Sequence, residues 1–286
     1  MAQQAQSYDP TDLISVIIPA NNEEPYIDDC LKALAAQDAA AGPVEVLVVA
    51  NACTDRTVAF AREHTAAFSA RNWTLTVLDL EEPGKINALN VGDRAATGCL
   101  IVYHDADIRC DPALLGQLRE ALSIEAPRYA TGSLRVGPAS SWVTRQYGRF
   151  WTKLPFVAGG AVGAGLYGVN RAGRGRWAEF PDIISDDTYA RRQFNPDERI
   201  EVPAKYQWPM IEGFQNLVRV RKRQDEGVQE LSEQFGSMLR EEGKKPLSWR
   251  ELARLAIADP IGFTVYSCVS LVVRLKRSNR EWVRGR

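Results

Sequence analysis

Four aspartates and one lysine are the residues best placed to do chemistry. Asp105 and Asp107 follow directly on the apolar run Cys99–Tyr103, one residue apart. Two carboxylates at a strand end can converge on a hard divalent cation, Mg²⁺ or Mn²⁺, which completes its shell with phosphate oxygens and water. The competing reading is a turn in which both aspartates cap backbone N–H groups. Lys85 lies in Pro83-Gly84-Lys85-Ile86-Asn87, at the start of a predicted helix. Glycine lets a ligand approach the backbone, and both a helix N-terminus and an ammonium favour phosphate. A solvated surface lysine is the alternative. Asp186 and Asp187 are adjacent, so each raises the other's pKa, and one can serve as general base towards a hydroxyl. A pair of helix-capping aspartates would look the same. Arg191 and Arg192 follow by one helical turn, within pairing reach of both. His64 has no acidic or cysteine partner at ligand spacing and reads as structural, and His104 reads as lining the pocket rather than as catalytic.

The elements that must position these groups alternate. Leu13–Ile18 reads as a buried strand ended by Pro19, followed by a helix with Pro25 in its first turn. The apolar positions Ile27, Cys30, Leu31 and Leu34 give that helix its inner face. Val44–Val49 is a second buried strand, with Thr54 and Asp55 able to cap the next helix. Trp73–Leu80 is a third strand, Lys85–Ala96 a helix, Cys99–Tyr103 a fourth strand, and Asp111-Pro112 opens another helix. Alternating strands and helices imply βαβ units and a parallel sheet, which binds ligands at the carboxyl ends of its strands. Asn21-Asn22-Glu23, Asn51 and His104-Asp105-Ala106-Asp107 all fall at those ends. There is no G-x-G-x-x-G after the first strand and no G-x-x-x-x-G-K-[ST], so dinucleotide and P-loop readings are excluded. Residues 215–254 read as charged helices and residues 261–275 as one more apolar segment.

Composition bounds the rest. With 286 residues, 45% apolar and 25% charged, the chain is neither disordered, collagenous nor a long coiled coil. The net charge of −1 hides an asymmetry: residues 213–286 carry +6 and residues 1–212 carry −7. A basic tail on an acidic body suggests contact with something anionic, while a solvated helical face is the plainer alternative. Five scattered cysteines without C-x-x-C spacing, and only two histidines, argue against a disulfide framework or a structural zinc site and for reduced thiols. The polar start MAQQAQSYDP lacks a signal-peptide core, and no run reaches the length of a membrane span.

The order of the pieces says more than any one of them. Residues 16–24 (VIIPANNEE), 47–57 (LVVANACTDRT), 84–90 (GKINALN), 104–107 (HDAD), 163–173 (GAGLYGVNRAG) and 185–192 (SDDTYARR) follow one another as in a family 2 glycosyltransferase, which the chain resembles over about residues 13–225. The resemblance implies an α/β fold of GT-A type, with a mostly parallel central sheet and flanking helices, and metal-dependent inverting transfer of a hexose-like sugar from a nucleoside diphosphate sugar. By position it implies that Pro19, Ala20, Asn22 and Glu23 line the nucleoside pocket and that Lys85 approaches the diphosphate. Asp105 and Asp107 would serve the metal, Mn²⁺ or Mg²⁺, and the sugar diphosphate. The loop of Gly163 and Gly165 would border the sugar and acceptor, and Asp187 would be the base, with Asp186 in place of the family's glutamate.

Two departures refine this expectation. Where the family often has an aspartate after the second strand's Val-Val, this chain has Ala50, which leaves base recognition to Asn51. The processive Q-x-x-R-W motif is absent, since Gln215 is followed by Arg219 one place late and by no tryptophan, which favours transfer of a single sugar. The basic run Arg219–Arg223 remains available to a diphosphate. We expect a catalytic domain over residues 1–212 and a basic helical region over residues 213–286. The acceptor is expected to be a glycan or a lipid-linked sugar, in polysaccharide or glycolipid synthesis, with no nucleic-acid partner. Trp142, Phe150 and Trp151 would help present it. Two readings of Ile261–Leu275 stand: a segment lying on an anionic membrane surface, at the inner face of the cell membrane, or a closing helix packed on the catalytic domain. The rival functions are a sugar nucleotidyltransferase, which would want a Gly-rich basic loop after the first strand, and a nucleotide-sugar-binding protein without activity.

Overall fold

The chain is described here over residues 13–243 and 247–276 of a computed structural model. The polar N-terminal stretch and the cations Lys244, Lys245, Arg277, Arg280, Arg284 and Arg286 lie outside those residues. The β-branched runs at residues 14–20 and 44–51 form β1 (Ile14–Ala20) and β2 (Val44–Asn51), buried along almost their whole length, as suits strands covered on both faces. Between and after them come α1 (Ile27–Ala35), α2 (Thr57–Glu63), α3 (Thr65–Ser69), β3 (Thr74–Leu80), α4 (Lys85–Ala95), β4 (Leu100–His104), β5 (Arg109–Cys110) and α5 (Leu114–Leu122). The second half contributes β6 (Tyr129–Val136), α6 (Trp142–Trp151), β7 (Leu166–Asn170), α7 (Arg171–Arg174), α8 (Asp186–Arg191), β8 (Arg199–Trp208), α9 (Phe214–Phe235), α10 (Trp249–Ala258) and α11 (Pro260–Leu275).

The eight strands make one sheet in the order β3-β2-β1-β4-β7-β6-β8-β5. β1, β2, β3 and β4 are mutually parallel, as are β6 and β8, while β7 runs antiparallel to both β4 and β6 and β5 antiparallel to β8. The expected mostly parallel sheet is therefore present, with a reversal at β7. Alternation along β1 divides the core. Ile14, Val16 and Ile18 pack with α1 and α5 on one face, and Ile17 packs with Leu47, Val49, Ala88, Leu89 and Tyr103 on the other. A third cluster joins Tyr147 of α6, Leu217 and Val218 of α9, and Val269 and Val273 of α11.

Several local expectations need correction. Pro19 does not end β1, which continues to Ala20. β4 pairs with β1 only as far as Ile17, so the missing proline N–H falls where the strand has a free edge. Pro25 lies in the turn before α1, where Tyr26 is the N-cap. Asp55 does cap the start of α2, accepting from the Thr57 N–H at 3.0 Å, but Thr54 instead donates to Asn22. The charged helices expected over residues 215–254 are present as α9, which stops at Phe235, and α10, which begins at Trp249 behind a Ser248/Glu251 capping box.

α11 is clamped to α6 at its first turn. The buried Asp259 carboxylate accepts from the Gly262 N–H as an N-cap, from Arg149 of α6 and from Lys153 in the turn just after α6. Burial alone would raise its pKa, but these hydrogen bonds outweigh it and hold the group down at about 2. Asp259→Ala should lower unfolding free energy by about 2 kcal/mol, combining a lost cap with lost charge-assisted bonds while both cations return to water. Urea titration of the two proteins measures this, and an unchanged midpoint would mean that α11 is held by its apolar contacts alone.

Candidate active site

Two strand ends and one helix start are tied together before any catalytic group is placed. The Asn51 side chain, buried at the end of β2, donates to the Ala20 carbonyl at 2.9 Å and accepts from the Gly84 N–H at 3.0 Å. Asn21 donates to the Asn51 carbonyl. One amide thus fixes the ends of β1 and β2 to the start of α4. Asn22 takes a left-handed backbone (φ 55°), and its Oδ1 accepts from the N–H groups of Thr54 and Asp55. It faces an open groove shared with Glu24, Thr54, Asp55 and Phe60. Gly84, at φ 133°, supplies the turn that opens α4 at Lys85.

Lys85 then bridges two separate elements. Its Nζ lies 2.9 Å from Oδ1 of Asp105, past the end of β4, and 3.1 Å from Oδ1 of Asp186, at the start of α8. Burial opposes the ammonium charge, but Asp105 and Asp186 outweigh it and hold the lysine protonated. Asp107 is pushed up to about 7, first by burial and then by Asp105 and Glu23. Asp186 and Asp187 are both raised by burial, Asp187 further by Asp186. Oδ1 of Asp187 accepts from the Thr188 N–H. Four carboxylates therefore gather around one ammonium, an all-oxygen donor set that suits a hard divalent cation. Among the described residues no group of three or more His, Cys, Asp or Glu side chains is already arranged around a metal position.

Glycines set the other wall. The Asp105 N–H donates to the Gly165 carbonyl at 2.8 Å. At φ +69° a Cβ on Gly165 would sit 2.9 Å from the Asp105 carboxylate and 2.7 Å from Ile108. A Cβ on Gly163 would overlap the Tyr129 hydroxyl. Both positions need glycine for close approach, and Gly165 fixes how Asp105 is presented.

Other expectations change here. His104 does not line the pocket but is buried beneath it, with Nδ1 2.9 Å from the Asp105 carbonyl, and burial lowers its pKa to about 4. Arg191 and Arg192 do not pair with the aspartates. Arg191 binds Glu242 at 2.6 Å and Arg192 donates to the Arg240 carbonyl, because a turn further on they face the segment after α9 rather than the sheet. His64 pairs with Asp28 of α1 at 2.9 Å. Phe150 is fully buried against Phe263 and Tyr266 of α11, so it is core and cannot touch an acceptor.

Asp107 also opens onto a cavity of about 320 Å³ lined by Tyr26, Tyr147, Trp151, Trp208 and Arg221. The indoles of Trp151 and Trp208 stack with centroids 5.6 Å apart. Tyr26 and Trp208 were not singled out from the sequence. The one available signal was Trp208-Pro209, an aromatic residue closing the alternating run of β8 at the same end of the sheet.

The family model for Glycosyl transferase family 2 matches residues 15–179. The chain is 35% identical over 99 residues to glycosyltransferase AglE of Haloferax volcanii, covering 35% of this chain and 31% of that protein. It is 28% identical over 137 residues to the undecaprenyl-phosphate 4-deoxy-4-formamido-L-arabinose transferase of Edwardsiella ictaluri, covering 48% and 41%. The matched stretches thus span less than half the length of these curated relatives. Among solved structures, the mannosyltransferase PcManGT of Pyrobaculum calidifontis, in complex with GDP-Man and Mn²⁺, superposes with a TM-score of 0.57 at 20% identity, covering 95% of this chain and 78% of that one. The fold is of the GT-A type.

Proposed function

Since the chain belongs to glycosyl transferase family 2, we propose that it transfers one sugar from a nucleoside diphosphate sugar to an acceptor hydroxyl with inversion at the anomeric carbon. The observation that carries this is the Lys85 bridge, which places Asp105, Asp186 and the adjoining Asp187 around one space at the carboxyl ends of the strands. Asp187 takes the acceptor's proton as its oxygen attacks from the face opposite the diphosphate. Burial and the neighbouring Asp186 raise its pKa, the direction that makes a carboxylate a stronger base. Asp186, ion-paired to Lys85, positions the lysine. Lys85 meets the diphosphate and stabilises its growing charge. Asp105 and Asp107 hold a divalent cation, Mn²⁺ or Mg²⁺, which when bound supplies Lewis-acid help to the leaving diphosphate. Pro19, Ala20, Asn22 and Glu23 line the nucleoside side, Asn51 holds that side in shape, and the loop of Gly163 and Gly165 borders the sugar. Residues 1–212 form the catalytic unit and residues 213–286 its basic extension, which carries α9, α10 and α11. The acceptor we propose is lipid-borne, met at the cytoplasmic face of a membrane. The Edwardsiella relative's name, which includes undecaprenyl phosphate, supports that choice.

Incubation with UDP-, GDP- and dTDP-sugars and Mn²⁺ should release nucleoside diphosphate slowly from one donor class. No release from any of them, by a folded protein, would leave a binding protein without activity. The pH profile is a second check. Asp187 and Asp107 must both be ionised, and both are raised, Asp107 to about 7. At low metal concentration kcat/KM should therefore fall as pH is lowered through about 7, and the limb should move to lower pH as metal is added, because metal competes with the proton. An acid limb fixed near the ordinary carboxylate range would count against these assignments.

A further inference from the structure

α11 is mostly apolar, interrupted by Thr264, Ser267, Ser270 and Arg274, a composition that ordinarily marks a helix covered over much of its surface. Among the described residues one side is covered, by packing of Val269 and Val273 against α6 and α9. The other side carries Ile261, Thr264, Cys268, Leu271 and Leu275 at spacings of three and four, one stripe along the helix. Ile261, Leu271 and Leu275 are 52%, 57% and 71% exposed. α10, joined to α11 at Asp259, has no buried residue at all and leaves Trp249 75% and Ile257 82% exposed. Exposed apolar surface this continuous marks an interaction site rather than scattered surface hydrophobes. Cations accompany it. Arg250 and Arg254 on α10 and Arg274 and Lys276 at the end of α11 are exposed. The acidic residues of 247–276 are Glu251, engaged with Ser248, and Asp259, buried and paired with Arg149 and Lys153.

We propose that the outward face of α10 and α11 docks the chain on an anionic lipid bilayer. The apolar stripe lies at the boundary of head groups and acyl chains, and the four cations lie on the head groups. Charge complementarity selects this occupant. A second copy would match the stripe but bring a like-charged rim against itself. Among the described residues no helix is long and apolar enough to cross a membrane, so the face lies on the bilayer. The surface gives the proposed lipid-borne acceptor a place to be met, and it rests on that reading for its purpose but not for its existence.

The test is flotation of the full chain with phosphatidylcholine vesicles, with and without phosphatidylglycerol. Binding is expected only with the anionic lipid and should weaken in high salt through screening. Leu271→Asp and, separately, the double change Arg250→Glu with Arg254→Glu should each reduce vesicle partitioning by on the order of tenfold or more. Both should leave circular dichroism, thermal midpoint and release of nucleoside diphosphate from a soluble donor unchanged. Deleting residues 257–286 would be uninformative, because it strips Val269 and Val273 from the core. A full chain that ignores anionic vesicles at low salt, or a Leu271→Asp chain that floats like wild type, overturns the proposal. So does a dimer in sedimentation that Leu271→Asp splits while nothing floats, which would make the occupant a second copy. Flotation requires no turnover: an inactive chain that floats refutes the proposed activity alone, and an active chain that does not float refutes this surface alone.

Discussion

Asp187→Asn is expected to lower kcat by roughly 10³-fold, within the range for loss of a general base, while donor affinity stays within a few-fold of wild type. Asparagine keeps the shape of the side chain and still offers an oxygen to the Thr188 N–H that Asp187 now accepts from, so the first turn of α8 should not move. What it loses is the ability to take a proton. The defect should therefore appear in kcat, with little change in the donor's KM. Asp186→Asn is the informative companion. It weakens the ion pair to Lys85 and so should act on the donor's KM, through a lysine that is less firmly held. Steady-state kinetics on both variants separate the roles. If Asp186→Asn collapses kcat and Asp187→Asn does not, the roles within the pair are reversed. If neither matters, the pair caps α8 and the base lies elsewhere.

Asp107→Ala should lose turnover by on the order of 10²-fold or more, as for removal of one transition-state stabiliser, and should nevertheless be more stable than wild type at pH 8. The sign follows from its pKa. Folding raises Asp107 from the ordinary carboxylate range to about 7, so between those values the folded state holds more protons than the unfolded one and stability falls as pH rises. Above pH 7 the ionised side chain carries its full destabilising effect, and alanine removes it. Near pH 4 the two proteins should melt together. Thermal melts at pH 4 and pH 8 without divalent cation, paired with turnover in Mn²⁺ and in EDTA, check both halves. A variant that is active, or one less stable than wild type at pH 8, would contradict the assignment of Asp107 as a strained cation ligand.

What the sequence made legible follows its periodicity. The apolar runs at β1, β2 and β4 placed three strand ends correctly to within one or two residues, because buried parallel strands are continuous in type. The inner face of α1 was readable from Ile27, Cys30, Leu31 and Leu34, all buried. The gathering of Lys85, Asp105, Asp107, Asp186 and Asp187 was legible only from the order of motifs, since no local pattern indicates that the start of α8 returns to the end of β4. The fates of His104 and Phe150 were not legible. Each depends on what packs from elsewhere: Cys30 against His104, and Phe263 and Tyr266 against Phe150. The antiparallel return of β7 was also hidden, because a short run such as Leu166–Asn170 carries no mark of its direction. Tyr26 reaches the cavity from a turn whose conformation the residue types do not fix, and Trp208 from the last position of β8, whose place near the sheet edge the sequence does not show.

α6 touches both the cavity and α11. Tyr147 and Trp151 line the cavity beside Asp107, while Arg149 and, in the turn after α6, Lys153 grip Asp259, and the Tyr147 ring also rests 5.4 Å from that of Tyr266 on α11. Cavity wall and outer helix thus share one element, and neither can shift without the other. Thermodynamic reciprocity applies to any such shared part. Whatever factor a bilayer under α11 adds to affinity inside the cavity, an occupant of the cavity must add to affinity for the bilayer. If the bilayer tightens binding in the cavity, a chain with the cavity filled holds the bilayer more tightly by the same factor.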